Sequence, residues 1–407
     1  MDTPIAVIAV ASVDGRAKRN VAVLVFAHAV LGSQLAINII VAGLAGAMLA
    51  SDPALATLPI SIVVVGSLVT APAMSLFMGR YGRRAGFWVA AAAGAVASAL
   101  CAWALFIGSF GLFMTGSVLL GVYQGTQGFF RFAATDLGSD AFKPKAISWV
   151  LVGGLLSAFL GPYIARATSE AMSEVPYASA YLAMIVLNVI GGIGLSFLDI
   201  PTPPRAAKAA ATGRPIWAIA RQPAFVVAAL SAMVGFSAMS LVMTSTPLAM
   251  VGHGFTRDHA TDVVQWHIVA MFAPSFFTGS VIARFGHLPV IAVGLVLLGV
   301  CGAIALAGVD LHHFYLALIA LGIGWNFSYI GATSLLGTTH AVAERAKVQG
   351  LNDFLVLALV AVGSFGSGAL LDAFGWSDVQ YAMTPALLLA LAGIVWLGIA
   401  GRRTTSV

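Results

Sequence analysis

Apolar runs of about 20 residues recur along this chain, and that is the length a helix needs to cross a bilayer. Twelve are present, at 21–48, 56–78, 85–107, 112–135, 146–166, 178–198, 224–248, 262–283, 288–308, 313–336, 347–370 and 379–400. In hydrocarbon every backbone N–H and C=O must be satisfied within the chain, so such runs fold as helices. Only 9% of the residues are charged, against about 25% in an ordinary soluble domain. The expected fold class is an all-α integral membrane protein with twelve transmembrane helices.

Charge placement orients these spans. An even number puts both termini on one side. With that side cytoplasmic, the segments 1–20, 79–84, 136–145, 199–223, 284–287, 337–346 and 401–407 face the cytoplasm. All twenty Lys and Arg residues except Arg166 and Arg257 then lie in or beside those segments. Cytoplasmic loops of membrane proteins carry such an excess. The net charge of +5 therefore follows from topology and does not indicate nucleic-acid binding. Residues 1–20 hold a short apolar stretch, Ile5 to Val13, before Arg16, Lys18 and Arg19. A cleaved signal peptide has the opposite order, so this stretch is read as a cytoplasmic tail. The two cysteines, Cys101 and Cys301, fall in different spans and are read as small buried apolar residues.

Residues 199–223 carry Pro201, Pro203, Pro204, Arg205, Lys208, Arg214 and Arg221, a polar linker between two sets of six spans. The expected domains are residues 1–198, the linker 199–223, and residues 224–407. The halves echo each other. Ser75-x-x-x-Gly79-Arg80-Tyr81-Gly82-Arg83-Arg84 closes span 2, and Gly279-x-x-x-Ala283-Arg284-Phe285-Gly286-His287 closes span 8. Lys145-Ala146 opens span 5 and Arg345-Ala346-Lys347 opens span 11. Two related six-helix halves are the build of many secondary transporters. No Gly-x-x-x-x-Gly-Lys-Ser/Thr loop is present to bind ATP. No soluble segment is large enough for an enzyme site, a receptor domain or an assembly factor.

On these segments the chain resembles the major facilitator superfamily along essentially its whole length. The two loop segments are similar to the family's Gly-x-x-x-Asp-Arg-x-Gly-Arg-Arg motif, with Gly79 and Ala283 in place of the acid. Gly153, Gly154, Gly161 and Pro162 resemble its glycine–proline motif. Gln124-x-x-Gln127-Gly128 stands where many drug–proton antiporters have Arg-x-x-Gln-Gly. That change, with no Asp or Glu in span 1, argues against a standard multidrug antiporter. The resemblance implies the major facilitator fold, with spans 1, 4, 7 and 10 lining a central cavity.

Two side-chain pairs point to a cargo. Met239-x-x-x-Met243 lies in span 7 and His267-x-x-x-Met271 in span 8. A spacing of four puts both members of a pair on one helix face. At about 1.5 Å rise per residue, Met243 and His267 lie roughly 6–7 Å below the outer end, and Met239 and Met271 roughly 12–14 Å. Thioether and imidazole ligands suit Cu(I) better than Mg, Ca or Mn. Methionine is also ordinary packing material, whereas an intramembrane histidine is costly and defaults to a functional hypothesis. The residues alone leave both readings open. The pairs look like the paired motifs of the CcoA-like (CalT) bacterial copper importers. That resemblance implies that all four residues ligate copper during import for assembly of respiratory oxidases. The wider family includes riboflavin transporters, so import of riboflavin or a related small organic compound is the second reading.

Other polar residues lie within the spans. Arg131 in span 4 and Asp353 in span 11 have opposite charge at matched depth, roughly 8–10 Å from the cytoplasmic end. They are expected to form an inner gate or a coupling site, although Arg131 can also snorkel to the headgroups. His28, Gln34 and Asn38 form a stripe on span 1, Gln124 and Gln127 on span 4, and Trp325 and Asn326 on span 10. They serve either as cavity lining for an organic substrate or as interhelical hydrogen bonds. Asp310, His312 and His313 form a small outer cluster, read as a solvated turn. The reading as a whole is a monomeric secondary transporter in the bacterial inner membrane. It is not an enzyme and uses no cofactor. Its partners are the lipid bilayer and a copper ion or small-molecule substrate.

Overall fold

The computed structural model describes residues 3–134, 136, 143–169, 171–172, 174–200, 213–341 and 344–405. Among them there are fifteen α-helices, one 3-10 turn and no strand. The chain divides into two compact units, residues 1–51 with 58–206, and residues 52–57 with 207–407. The break near 206 falls inside the expected linker 199–223. The departure is the segment 52–57, which lies between the first two spans in sequence yet groups with the second unit. There Thr57 packs over Gly368, a position with no Cβ to obstruct it.

The first unit holds α1 (Thr3–Leu49), α2 (Leu58–Tyr81), α3 (Arg83–Phe106), α4 (Phe110–Gln127), α5 (Phe129–Ala133), α6 (Lys143–Ser169) and α7 (Ala178–Leu195). The tail expected at 1–20 is helical from Thr3 and runs continuously into the first span as α1. Pro4 falls in the first turn, where proline is tolerated, and only Gly15 interrupts the run up to Asn20. The stem of α1 is clasped to the end of α7: Asn20 Nδ2 donates to Asp199 O at 2.8 Å, and Asp199 N donates to Asn20 Oδ1 at 2.9 Å. Arg16 and Arg19 both reach Asp199 Oδ2, at 3.0 and 2.8 Å.

The second unit holds the 3-10 turn Pro53–Leu55, α8 (Ile216–Ala220), α9 (Pro223–Gly252), α10 (Arg257–Phe272), α11 (Ser275–Phe285), α12 (His287–Ala307), α13 (Leu311–Gly337), α14 (Arg345–Phe374) and α15 (Trp376–Thr405). Nine helices among the described residues are long and apolar enough to cross a membrane, or ten if α10 and α11 count as one span bent by 42°. The pair α4–α5 and α6 occupy the places of the fourth and fifth expected spans. The eighth expected span is thus two helices. Pro274 stands at the junction, and proline removes a backbone donor and crowds the preceding turn.

Small residues set the helix crossings, as expected where no hydrophobic force drives helices together in lipid. A Cβ at Gly121 would lie 2.6 Å from Gly66 Cα, so α2 and α4 touch backbone to backbone. A Cβ at Gly153 would lie 2.6 Å from Val25 O, and one at Gly161 would lie 2.7 Å from Ser33 O. The glycine–proline stretch therefore lets α6 approach α1. In the second unit, Gly324 faces Gly294 O across α12–α13 and Gly322 faces His267 O across α10–α13. Large apolar side chains point outward, Leu76 at 78% and Val69 at 69% exposure. Such a surface suits lipid. Both copies of the loop motif end a helix in the same way. Gly82 (φ 90°) follows α2 and Gly286 (φ 85°) follows α11, a conformation that glycine adopts without strain. Beside them Arg80 lies over the Tyr81 ring and Arg284 over the Phe285 ring, each at 5.3 Å.

Candidate substrate site

In the first unit, two of the five polar residues singled out, Gln34 and Asn38, are consumed by packing. Gln34 and Asn188 form a reciprocal amide pair, with Gln34 Nε2 donating to Asn188 Oδ1 at 3.1 Å and Asn188 Nδ2 donating to Gln34 Oε1 at 2.7 Å. Asn188 Nδ2 also reaches Met184 O at 2.8 Å. Asn38 accepts from Tyr181 OH at 3.4 Å. All four side chains are buried, so Gln34 and Asn38 join α1 to α7. Asn188 was invisible to the sequence reading because it sits alone in an apolar helix.

His28, Gln124 and Gln127 differ, since each keeps part of its surface exposed. His28 Nδ1 pairs with Val150 O at 2.9 Å across α1–α6. A Cβ at Gly32 would meet His28 Cδ2 at 3.0 Å and Gln127 Nε2 at 3.1 Å, so His28 and Gln127 lie side by side over this glycine. The side chain of Arg131 lies outside the described residues, and with it the expected gate. Asp353 is exposed near the start of α14 and accepts from Asn352 Nδ2 at 3.3 Å.

In the second unit, Met239, Met243, His267 and Met271 are all buried, His267 completely. The His267 imidazole is directed across the α10–α13 interface, with Nδ1 at 2.7 Å from Leu318 O. Its Nε2 has no hydrogen-bond partner among the described residues. Asn326 is also fully buried and fully engaged. Its Nδ2 donates to Met271 O and to Ser275 Oγ, both at 2.7 Å, and its Oδ1 accepts from Thr278 Oγ1 at 2.7 Å. It thus braces the break between α10 and α11, where Pro274 disrupts the helical ladder.

One turn along α13 lies an aromatic cluster. Trp325 and Tyr329, four residues apart, stack with ring centroids 5.3 Å apart and planes 15° apart. Phe236 of α9 meets both edge-on, at 5.5 and 5.2 Å. Phe272 at the end of α10 approaches Trp325 at 6.4 Å. Trp325 is nearly buried, while Phe236 and Tyr329 retain exposed surface. Sequence reasoning had Trp325 and missed its neighbours. The spacing Trp325-x-x-x-Tyr329 was the available signal.

At the outer cluster, the ligand atoms of Asp310, His312 and His313 lie within 4.8 Å of one another, with Asp310 and His312 exposed. Cys101 and Cys301 are buried free thiols, as expected. On the side expected to be cytoplasmic, Glu344 anchors the end of the linker. It accepts from Arg214 N at 2.7 Å, from Arg214 Nη2 at 2.8 Å and from Ala341 N at 3.0 Å. The Arg214 guanidinium, helped by the Ala341 and Arg214 backbone N–H groups, holds the Glu344 carboxyl well below the usual carboxylate range.

A polytopic helical protein in two units, with partly exposed polar groups in one and a ring cluster in the other, has the form of a membrane transporter. Comparison with known proteins agrees. The family model of the Major Facilitator Superfamily matches residues 23–274. The riboflavin transporter RfnT of Brucella anthropi is 42% identical, over 93% of this chain and 96% of its own. The uncharacterized MFS-type transporter YddS of Bacillus subtilis is 27% identical, over 93% and 91%. In structure, the human organic anion transporter MFSD10 superposes with a TM-score of 0.67 at 15% identity, covering 93% of this chain and 99% of that one, which shows the fold alone. The chain belongs to the Major Facilitator Superfamily and is a transporter.

The relative named for riboflavin overturns the copper reading. The chain is 42% identical, across nearly all of both sequences, to a protein named for riboflavin and not for a metal. With the copper cargo goes the reason for reading Met239, Met243, His267 and Met271 as its import site. The misreading has a physical source. A spacing of four aligns side chains on one face whether that face binds a metal or packs against a neighbour. The intramembrane imidazole that seemed to demand a ligand meets part of its requirement at the Leu318 carbonyl.

Proposed function

We propose that this protein is a secondary transporter that imports riboflavin or a closely related flavin across a bacterial inner membrane. The observation that carries this reading is the 42% identity to a riboflavin transporter over nearly the full length of both chains. The chemistry of the second unit supports it. A flavin is a planar conjugated ring system, and aromatic side chains stack on such rings. The cluster of Phe236, Trp325 and Tyr329 offers that contact. Without a nucleotide-binding loop in the sequence, the driving force is an ion gradient or the substrate's own gradient. The test is uptake of labelled riboflavin by a riboflavin auxotroph that lacks its own importer.

A further inference from the structure

We infer that Trp325, Tyr329 and Phe236 form the contact surface for the substrate's planar ring, with the Trp325 indole N–H donating a hydrogen bond to an acceptor on the ring edge. This rests on the flavin reading and adds to it a place, a recognition mode and the part of the substrate that is read.

Three observations converge. Trp325 is 9% exposed, and its Nε1 has no hydrogen-bond partner among the described residues. A buried indole N–H ordinarily finds a partner, because an orphaned donor costs the full desolvation of the group. The next residue gives the contrast. Asn326 makes three hydrogen bonds within the same neighbourhood. The fold supplies partners for the structural amide and none for the indole one position away.

The second observation is rigidity. Gly322 approaches His267 O, Gly324 approaches Gly294 O, and Gly331 approaches Ile291, so close contacts fix α13 against α10 and α12. Trp325 and Tyr329 therefore present their rings in a set orientation and little order must be acquired on binding. The third is openness. Phe236 and Tyr329 retain exposed surface, so the cluster is not sealed as a core would be.

No charged side chain belongs to this ring set. The surface suits a neutral, flat heteroaromatic with an edge carbonyl or ring nitrogen, not an anion or a metal ion. In riboflavin that part is the isoalloxazine. The ring alone should then carry recognition here and the sugar-alcohol chain should not.

The experiment uses the purified full-length protein and titrates riboflavin, reading quenching of flavin fluorescence, which stacking on indole or phenol causes. The wild type should quench. Lumichrome, which keeps the tricyclic ring and lacks the ribityl chain, should compete, and ribitol should not. Trp325→Phe keeps an aromatic ring and removes the donor, so its Kd should rise about tenfold with elution profile and melting temperature unchanged. Trp103→Phe, in the other unit, should match the wild type. A wild type that neither binds nor takes up riboflavin overturns the flavin reading and this assignment with it. A wild type that takes up riboflavin overturns this assignment alone if Trp325→Phe binds with unaltered Kd, or if ribitol competes and lumichrome does not.

Discussion

Gln34 and Asn188 show how a single amide changes its meaning once its partner is known. Each is buried, and each satisfies the other. Asn188→Leu leaves the Gln34 amide unsatisfied inside the bundle and should destabilise the protein by roughly 1–2 kcal/mol. Replacing both by Leu should recover much of that loss. A double variant no more stable than the single one in thermal unfolding would contradict the pairing. At Glu344 the sign follows from charge. Its folded-state pKa is depressed by Arg214, so the clasp contributes stability above the ordinary 4.5 and loses it as pH falls toward the lower folded value. The stability gap between wild type and Glu344→Gln should thus be constant through neutral pH and should shrink only below about pH 4.5. A gap that closes between pH 7 and 5 would contradict it. In the sequence Glu344 was one loop acid among several. Its role needed the far end of a linker 130 residues away to fold back onto it.

At the scale of the helix, what sequence reveals is length and hydropathy, and what it hides is breaks and crossings. Span 8 reads as one apolar run because a single proline, Pro274, barely lowers the hydropathy of a run of about 20 residues. The bend of 42° follows from the missing donor and from Asn326 bracing both sides. Likewise the run before Asn20 is too short to span by itself, and its continuity with α1 is visible only in the structure. The glycine–proline stretch was legible as a motif, and its cause is now physical. A Cβ at Gly161 would press on Ser33 O and Ala36 Cβ, both at 2.7 Å, so the α1–α6 crossing requires glycine there. Gly161→Val should abolish folded, monodisperse protein in detergent, while Gly111→Val, where nothing lies within 4 Å of a Cβ, should leave it intact. Equal yields from the two would sink the close-crossing account.

For the whole molecule, the fold was legible because the bilayer permits so few solutions. Apolar runs of spanning length, a basic linker and two echoing loop motifs left little besides a two-part helical transporter. The choice between copper and an organic cargo was not legible. Soft side chains in register resemble a metal ladder on paper, but their burial within α9 and α10 and the His267–Leu318 bond are equally what packing produces. The aromatic cluster draws on α9, α10 and α13, and the Trp325-x-x-x-Tyr329 spacing announces only its α13 part. The most direct measurement is uptake in an auxotroph that neither makes nor imports riboflavin, with labelled riboflavin and labelled copper supplied in parallel. Expression of this chain should produce saturable riboflavin accumulation and growth at low supply, with copper accumulation no higher than in cells carrying the empty vector. Copper accumulation without riboflavin uptake or growth would contradict the account.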